Sequence, residues 1–193
     1  GQTLEIAIYK ALNASGLMFV GGFPDLNDHD DSSTYSKEEP PLRFSGREMP
    51  GDQRFDFLVF HPVAGPLGIE AKNVREWIYP DREEVRELLG KAVTADTVPV
   101  LIARRIHFSS RVLLETCGVM LFETFGQLYP ITEADLAAAV RAKGNIGYHD
   151  VRASNDPNAL LSQFIGTTMP NQAADYRERF DRYKDLLAGF ADG

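Results

Sequence analysis

Asp56, Glu70 and Lys72 put three ionisable groups into two runs whose other residues belong in a protein interior. The first run is Phe55-Asp56-Phe57-Leu58-Val59-Phe60 and the second is Leu67-Gly68-Ile69-Glu70-Ala71-Lys72; both read as buried strands. Side chains alternate between the faces of a strand. Asp56 therefore sides with Leu58 and Phe60, while Glu70 and Lys72 share one face and Ile69 and Ala71 the other. An unpaired charge in such a setting costs on the order of several kcal/mol, so these groups require a partner or a metal. Two carboxylates and a lysine at the ends of neighbouring strands satisfy one another around a divalent cation, the donor set of metal-assisted hydrolysis.

The elements that must position these residues are legible in outline. Residues 61–66, His-Pro-Val-Ala-Gly-Pro, suit the loop of a hairpin between the two strands. Thr3 caps a first helix over 4–14, with Gly16 beyond its end. Asp81 with Glu84 makes a capping box for a helix whose stripe is Val85, Leu88, Leu89, Ala92 and Val93. Residues 98–103 form a continuous apolar run, the mark of a buried strand. Ser109 or Ser110 starts a short helix that Gly118 stops, and 119–125 reads as a fourth strand. Thr132 with Asp135 opens a helix to Lys143, which Gly144 ends. His149 and Asp150 sit in a loop over 147–158 and read as turn chemistry. A last helix over 171–188 aligns Tyr176, Phe180, Tyr183 and Leu187 in one stripe that docks on the core or meets a partner.

Glu5 stands apart from this outline. On a helical wheel it falls between Leu12 and Tyr9, with Ile8 nearby, in the middle of the first helix's apolar face. It either complements the helix dipole in the first turn or faces a polar site inside. Trp77 and Tyr79, just after the second strand, either pack or contact a substrate.

The order Asp56, thirteen intervening residues, then Glu70-Ala71-Lys72 resembles the PD-(D/E)xK, or restriction-endonuclease-like, nuclease superfamily. Phe55 stands where that pattern has proline. The resemblance implies an α/β fold running helix, three strands, helix, strand, with a central mixed four-stranded sheet flanked by helices. It divides the chain into a nuclease-like core over 1–150, with a long loop insertion at 21–53, and a C-terminal helical extension over 151–193 packed on that core. It further implies Mg²⁺, with Mn²⁺ as a substitute, held by Asp56, Glu70 and the backbone carbonyl of Ala71. Lys72 would orient or help deprotonate the attacking water, and Glu5 would bind a second metal or a metal-bound water. The implied substrate is nucleic acid, DNA rather than RNA, cut by phosphodiester hydrolysis.

Composition bounds these expectations. A chain of 193 residues, 44% of them hydrophobic, is long enough for one α/β domain. It contains no apolar run of the roughly 18 residues a membrane helix needs, and no signal peptide is recognised. The lone cysteine, Cys117, allows no internal disulfide and reads as a buried, inert thiol, which suits a reducing cytoplasm. The net charge of −8 opposes nucleic-acid binding. Its acidic residues cluster at Asp25, Asp28, Asp30, Asp31, Glu38 and Glu39, while Arg104, Arg105, His107 and Arg111 form a basic group that also reads as a solvated strand end. Weak affinity for free DNA is expected, with help from a homodimer or a partner subunit. Two other readings stay open: a catalytically silent nuclease-like module acting as a scaffold, and a different α/β enzyme in which Glu70 and Lys72 are an ordinary buried ion pair.

Overall fold

The computed structural model describes residues 2–27, 34–44 and 46–192. Leu4, Ile8, Ala11 and Leu12 recur at helical spacing and bury one face of α1 (Gln2–Ser15), after which Gly16 turns the chain at φ +72°. A short strand follows, β1 (Met18–Val20), and then a long connection with one small ladder, β2 (Arg43–Phe44) against β3 (Arg47–Glu48). The hairpin of β4 (Phe57–His61) and β5 (Gly65–Lys72) comes next. The crossover helix α2 (Glu83–Ala95) leads to β6 (Val98–Ala103), and α3 (Phe108–Thr116) leads to β7 (Met120–Glu123). Together they build a five-stranded sheet in the order β1-β4-β5-β6-β7, antiparallel from β1 to β5 and parallel from β5 to β7. The parallel half needs long crossovers, and α2 and α3 supply them.

The sheet separates two cores. Phe57, Val59, Leu67, Ile69, Val100 and Ile102 face α1, whereas Leu58, Leu101, Ala103 and Leu121 face α2 through Val85, Leu88 and Leu89. Every residue of β6 is buried, as expected of a strand covered on both faces. A second, two-stranded parallel sheet pairs β8 (Gln127–Tyr129) with β9 (Val151–Ala153) across α4 (Ala134–Arg141). The chain ends in a long helical path: α5 (Ala159–Gln163), a π turn at Phe164–Thr168, and α6 (Met169–Asp192). Leu161, Ile165, Met169 and Ala173 pack in the α1-side core, while Phe180 and Leu187 pack in the α2-side core. The path changes sides where it passes Gly118. A Cβ there would overlap the backbone at Phe180 and lie 2.6 Å from the Tyr176 carbonyl oxygen.

Several local expectations are corrected. The central sheet has five strands rather than four, because three residues of β1 are too few to show a period. α1 begins at Gln2, so Thr3 lies within its first turn and is buried. No capping box opens α2: Arg82 precedes the helix without a side-chain cap, and Glu84 is engaged by Arg82 at 3.4 Å. His107, not a serine, caps α3, its Nδ1 accepting from the Ser109 N–H. A 3₁₀ turn at Ile131–Glu133 precedes α4, which ends at Arg141. The 147–158 loop contains β9. No helix among the described residues is long and apolar enough to cross a membrane.

Candidate active site

Strand alternation fails at one place, and the site forms there. Phe55 packs in the same core as Leu58, although residues at an odd offset face opposite sides of an unbroken strand. The chain bends at Asp56 to allow this. Gly68, on β5, makes the room: a Cβ at this position would run into the Phe55 ring. Asp56 is thereby left just outside β4, its N–H donating to the Ile69 carbonyl at 2.9 Å and its Oδ2 accepting the Ala71 N–H at 2.7 Å. The carboxylate thus reaches the residue between Glu70 and Lys72.

The other oxygen of Asp56 meets a lysine from the long connection. Lys37 Nζ lies 2.6 Å from Asp56 Oδ1 and 2.6 Å from Glu5 Oε2, so one ammonium holds both carboxylates. Two anchors deliver it. The Gln2 side chain clamps the Tyr35 backbone, donating to its carbonyl and accepting its N–H at 2.8 Å each. Beyond Lys37, Gly22 and Glu38 exchange two backbone hydrogen bonds of 2.8 Å. Burial and the Asp56 charge push the Glu5 carboxyl above the usual carboxylate range, with Lys37 opposing them. Burial alone would lower the Lys37 ammonium, but Asp56 and Glu5 raise it, so it is a fixed cation.

Glu70 belongs to a second cluster. Its Oε1 pairs with Lys72 at 2.8 Å and its Oε2 with Lys91 of α2 at 2.5 Å. Lys91 is nearly inaccessible, donates also to the Arg54 carbonyl at 2.8 Å, and lies 5.2 Å from the centre of the Phe55 ring. Burial works against the charge of Lys72, yet Glu70, then Asp56 and Glu87, raise it above the ordinary lysine value. Lys72 is therefore held as a cation at neutral pH.

The structure brings Glu5 and Asp56 onto one ammonium and Glu70 and Lys72 into one ion pair, with the Asp56–Ala71 hydrogen bond joining the two sets. Among the described residues, no group of three or more His, Cys, Asp or Glu side chains gathers as a ready metal site. Sequence reasoning missed Lys37 and Lys91. Lys91 carried a signal, a charge at the edge of an otherwise apolar helical stripe; Lys37 lies in a stretch without periodicity and carried none.

The expected basic group is mostly consumed within the fold. Arg104 is buried rather than solvated: it pairs with Asp150 at 2.7 Å and donates to the Val74 and Arg75 carbonyls. Asp150 also takes Arg75 at 2.7 Å, so it is an ionic link and not turn chemistry alone. Arg111 pairs with Glu115 and Glu123, and Asn73, next to Lys72, fastens the β8 edge by two hydrogen bonds through Leu128. Of the acidic stretch, Asp25 accepts the Ser36 N–H and Glu39 pairs with Arg54, while Asp28, Asp30 and Asp31 lie outside the described residues. Cys117 is buried, and burial pushes its thiol up. No family model matches the chain, and neither a curated protein nor a solved structure matches it.

Proposed function

We propose that the chain is a metal-dependent nuclease of the restriction-endonuclease-like kind, hydrolysing phosphodiester bonds of nucleic acid, DNA rather than RNA. The observation that carries this reading is the 2.7 Å hydrogen bond from the Ala71 N–H to Asp56, which sets Asp56 against the Glu70-Ala71-Lys72 segment. The order α1, β1, β4, β5, α2, β6 supports it, since it is the helix, three strands, helix, strand sequence that the resemblance implies.

The donor chemistry fits a divalent ion: Glu5 and Asp56 already converge on one cation, and Mg²⁺ or Mn²⁺ takes such hard oxygens. Asp56, Glu70 and the Ala71 carbonyl would hold the ion, with Glu5 completing the set. When bound, such an ion polarises the phosphate and acidifies a coordinated water. Lys72, kept protonated by Glu70, orients the attacking water and stabilises the charge that develops on the phosphate. Lys91 fixes Glu70, and through it Lys72.

One observation favours the second reading, a catalytically silent scaffold module. Lys37, Lys72 and Lys91 already neutralise the three carboxylates without a metal. Cleavage of labelled duplex, single-stranded, branched and RNA substrates with Mg²⁺ and Mn²⁺, beside an Mn²⁺ titration, separates the two. The nuclease reading expects cleavage that Lys72→Ala abolishes while the melting temperature changes little. Undiminished cleavage by that variant removes Lys72 from the chemistry, and absence of both Mn²⁺ binding and cleavage leaves the scaffold. Removing Lys91 instead breaks a buried pair, and a loss of about 3–5 kcal/mol is expected.

A further inference from the structure

Beyond the last rung of β5 and β6, the pair Lys72–Ala103, the two strands meet once more in a parallel bridge between Ile78 and Ile106. Ile78 donates to the Arg105 carbonyl at 3.1 Å and accepts the His107 N–H at 3.0 Å and the Ser110 hydroxyl at 2.7 Å. Ile78 and Ile106 are buried. Extended backbone alternates its side chains, so the flanking residues Trp77, Tyr79, Arg105 and His107 are turned outward together. Trp77 is 45% exposed and Tyr79 44%, and the His107 ring lies between them, stacked on Tyr79 at 4.5 Å and edge-on to Trp77 at 6.1 Å.

Phe125 extends this row from the end of β7. Its ring is 50% exposed, and its backbone sits at φ +54°, a conformation a phenylalanine adopts only when its surroundings impose it. The Phe125 N–H donates to the Arg104 carbonyl at 3.2 Å, and the Arg105 guanidinium lies 4.7 Å from the Phe125 ring centre and 5.8 Å from that of Trp77. Among the described residues Arg105 forms no ion pair, unlike Arg75, Arg104 and Arg111. Three exposed rings with an uncommitted guanidinium between them are held by backbone hydrogen bonds rather than by mutual burial. Water is a poor solvent for that surface, and strain at Phe125 is spent on presenting it.

We infer that this shelf binds an unpaired segment of nucleic acid, bases stacking on Trp77, Tyr79 and Phe125 and a phosphate meeting Arg105. The occupant's identity rests on the nuclease reading. Two features favour a single strand over a duplex. The net charge of −8 leaves little room for affinity through many phosphate contacts, whereas stacking on aromatic faces is not Coulombic and serves any base. Bases inside a duplex offer no free face to a ring. Lys72 and Trp77 are five residues apart along the chain, at most about 17 Å, so a strand on the shelf reaches the candidate site within a few nucleotides.

Trp77 is the chain's one tryptophan and reports directly on the shelf. The experiment titrates the protein, in EDTA and low salt, with a 15-nucleotide oligothymidylate and with a duplex of equal length, following tryptophan emission. Saturable quenching by the single strand, with much weaker quenching by the duplex, is expected. Phe125→Ala and Tyr79→Ala should each weaken single-strand binding by at least about fivefold, the loss of one stacked base. Their melting curves separate this from misfolding, and Arg105→Ala, at a half-buried position with no ion pair among the described residues, should weaken single-strand binding as well. Absence of quenching, equal quenching by duplex, or quenching by an aromatic-rich peptide in place of the oligonucleotide overturns the proposal. Because no metal is present, cleavage is scored separately: single-strand binding without cleavage overturns the nuclease reading and leaves the shelf, while cleavage without binding overturns the shelf alone.

Discussion

Lys37 changes the meaning of the acidic residues around it. Without that ammonium, Glu5 and Asp56 would be like charges facing one another in a half-buried setting, and the Glu5 carboxyl would lose the one partner that opposes its rise. The Glu5 carboxyl is already raised by burial and by Asp56, so the fold gains nothing from its ionisation beyond the contact with Lys37. Glu5→Gln should therefore keep the fold, with a change in stability within about 1 kcal/mol, since volume and hydrogen-bonding capacity are retained. If Glu5 serves the chemistry, the same variant loses cleavage through the missing charge. Rates and melting temperatures on one preparation decide it, and full activity in the Gln variant removes Glu5 from the site. The dipole explanation of Glu5 loses ground on geometry alone, because its carboxylate reaches across to a lysine on another segment.

At the scale of elements, the strands announced themselves where a period repeats. β5 and β6 are long enough for alternation or continuous burial to show, and Glu70 and Lys72 fall on one face as that rule requires. Asp56 lies close to them for a reason alternation misses, the bend that Gly68 makes possible by leaving space for Phe55. The capping box expected at Asp81 is absent because an aspartate with a carboxylate three residues on is a common pairing, and the chain enters α2 at Arg82 without a side-chain cap. Gly118 is the element contact most open to test. Gly118→Ala incurs both a left-handed φ of +85° and overlap with the α6 backbone, whereas Gly16→Ala incurs only the φ of +72° with open space around it. The first should be less stable by well over the roughly 1–2 kcal/mol of backbone strain expected for the second; equal losses in denaturant melts would show that α6 does not press on this turn. Asp96 ties the same helix from the end of α2, pairing with Arg177 at 2.8 Å and Lys184 at 2.5 Å. Burial raises its carboxyl, but the two cations outweigh this and hold it at about 2. An aspartate lowered by folding contributes above its ordinary value near 3.8 and loses that contribution as pH falls toward about 2. Asp96→Asn, which keeps the left-handed conformation accessible, should melt lower at neutral pH, by about 0.2–1 kcal/mol per half-exposed pair. Melting curves of the two proteins should converge on acidification through that window, and a constant gap down to pH 2 would refute the linkage.

For the whole molecule, the distribution of charge matters more than its sum. Many basic side chains are committed to ion pairs inside the fold: Arg104 and Arg75 to Asp150, Arg111 to Glu123, Arg177 and Lys184 to Asp96, and Lys37, Lys72 and Lys91 to the site's own carboxylates. Few cations are left to displace counterions from a nucleic acid. Any affinity should accordingly fall less than about tenfold between 50 and 200 mM salt, the mark of one or two phosphate contacts rather than many. Binding measured across that range gives the slope directly, and a loss of a thousandfold would contradict a molecule whose basic residues are spoken for.

The helical path from Ala159 to Asp192 touches one core before Gly118 and the other after it, so the two sides of the sheet share a structural member. Neither half can open alone without releasing part of that path from the other. Loosening of the α1 side, where Met169 and Ala173 are packed, is thereby transmitted to the α2 side, where Phe180 and Leu187 are. The molecule is in this respect a single cooperative unit: the path from Ala159 to Asp192 acts as a clasp closed on both faces, and heat or denaturant should undo both faces in one transition.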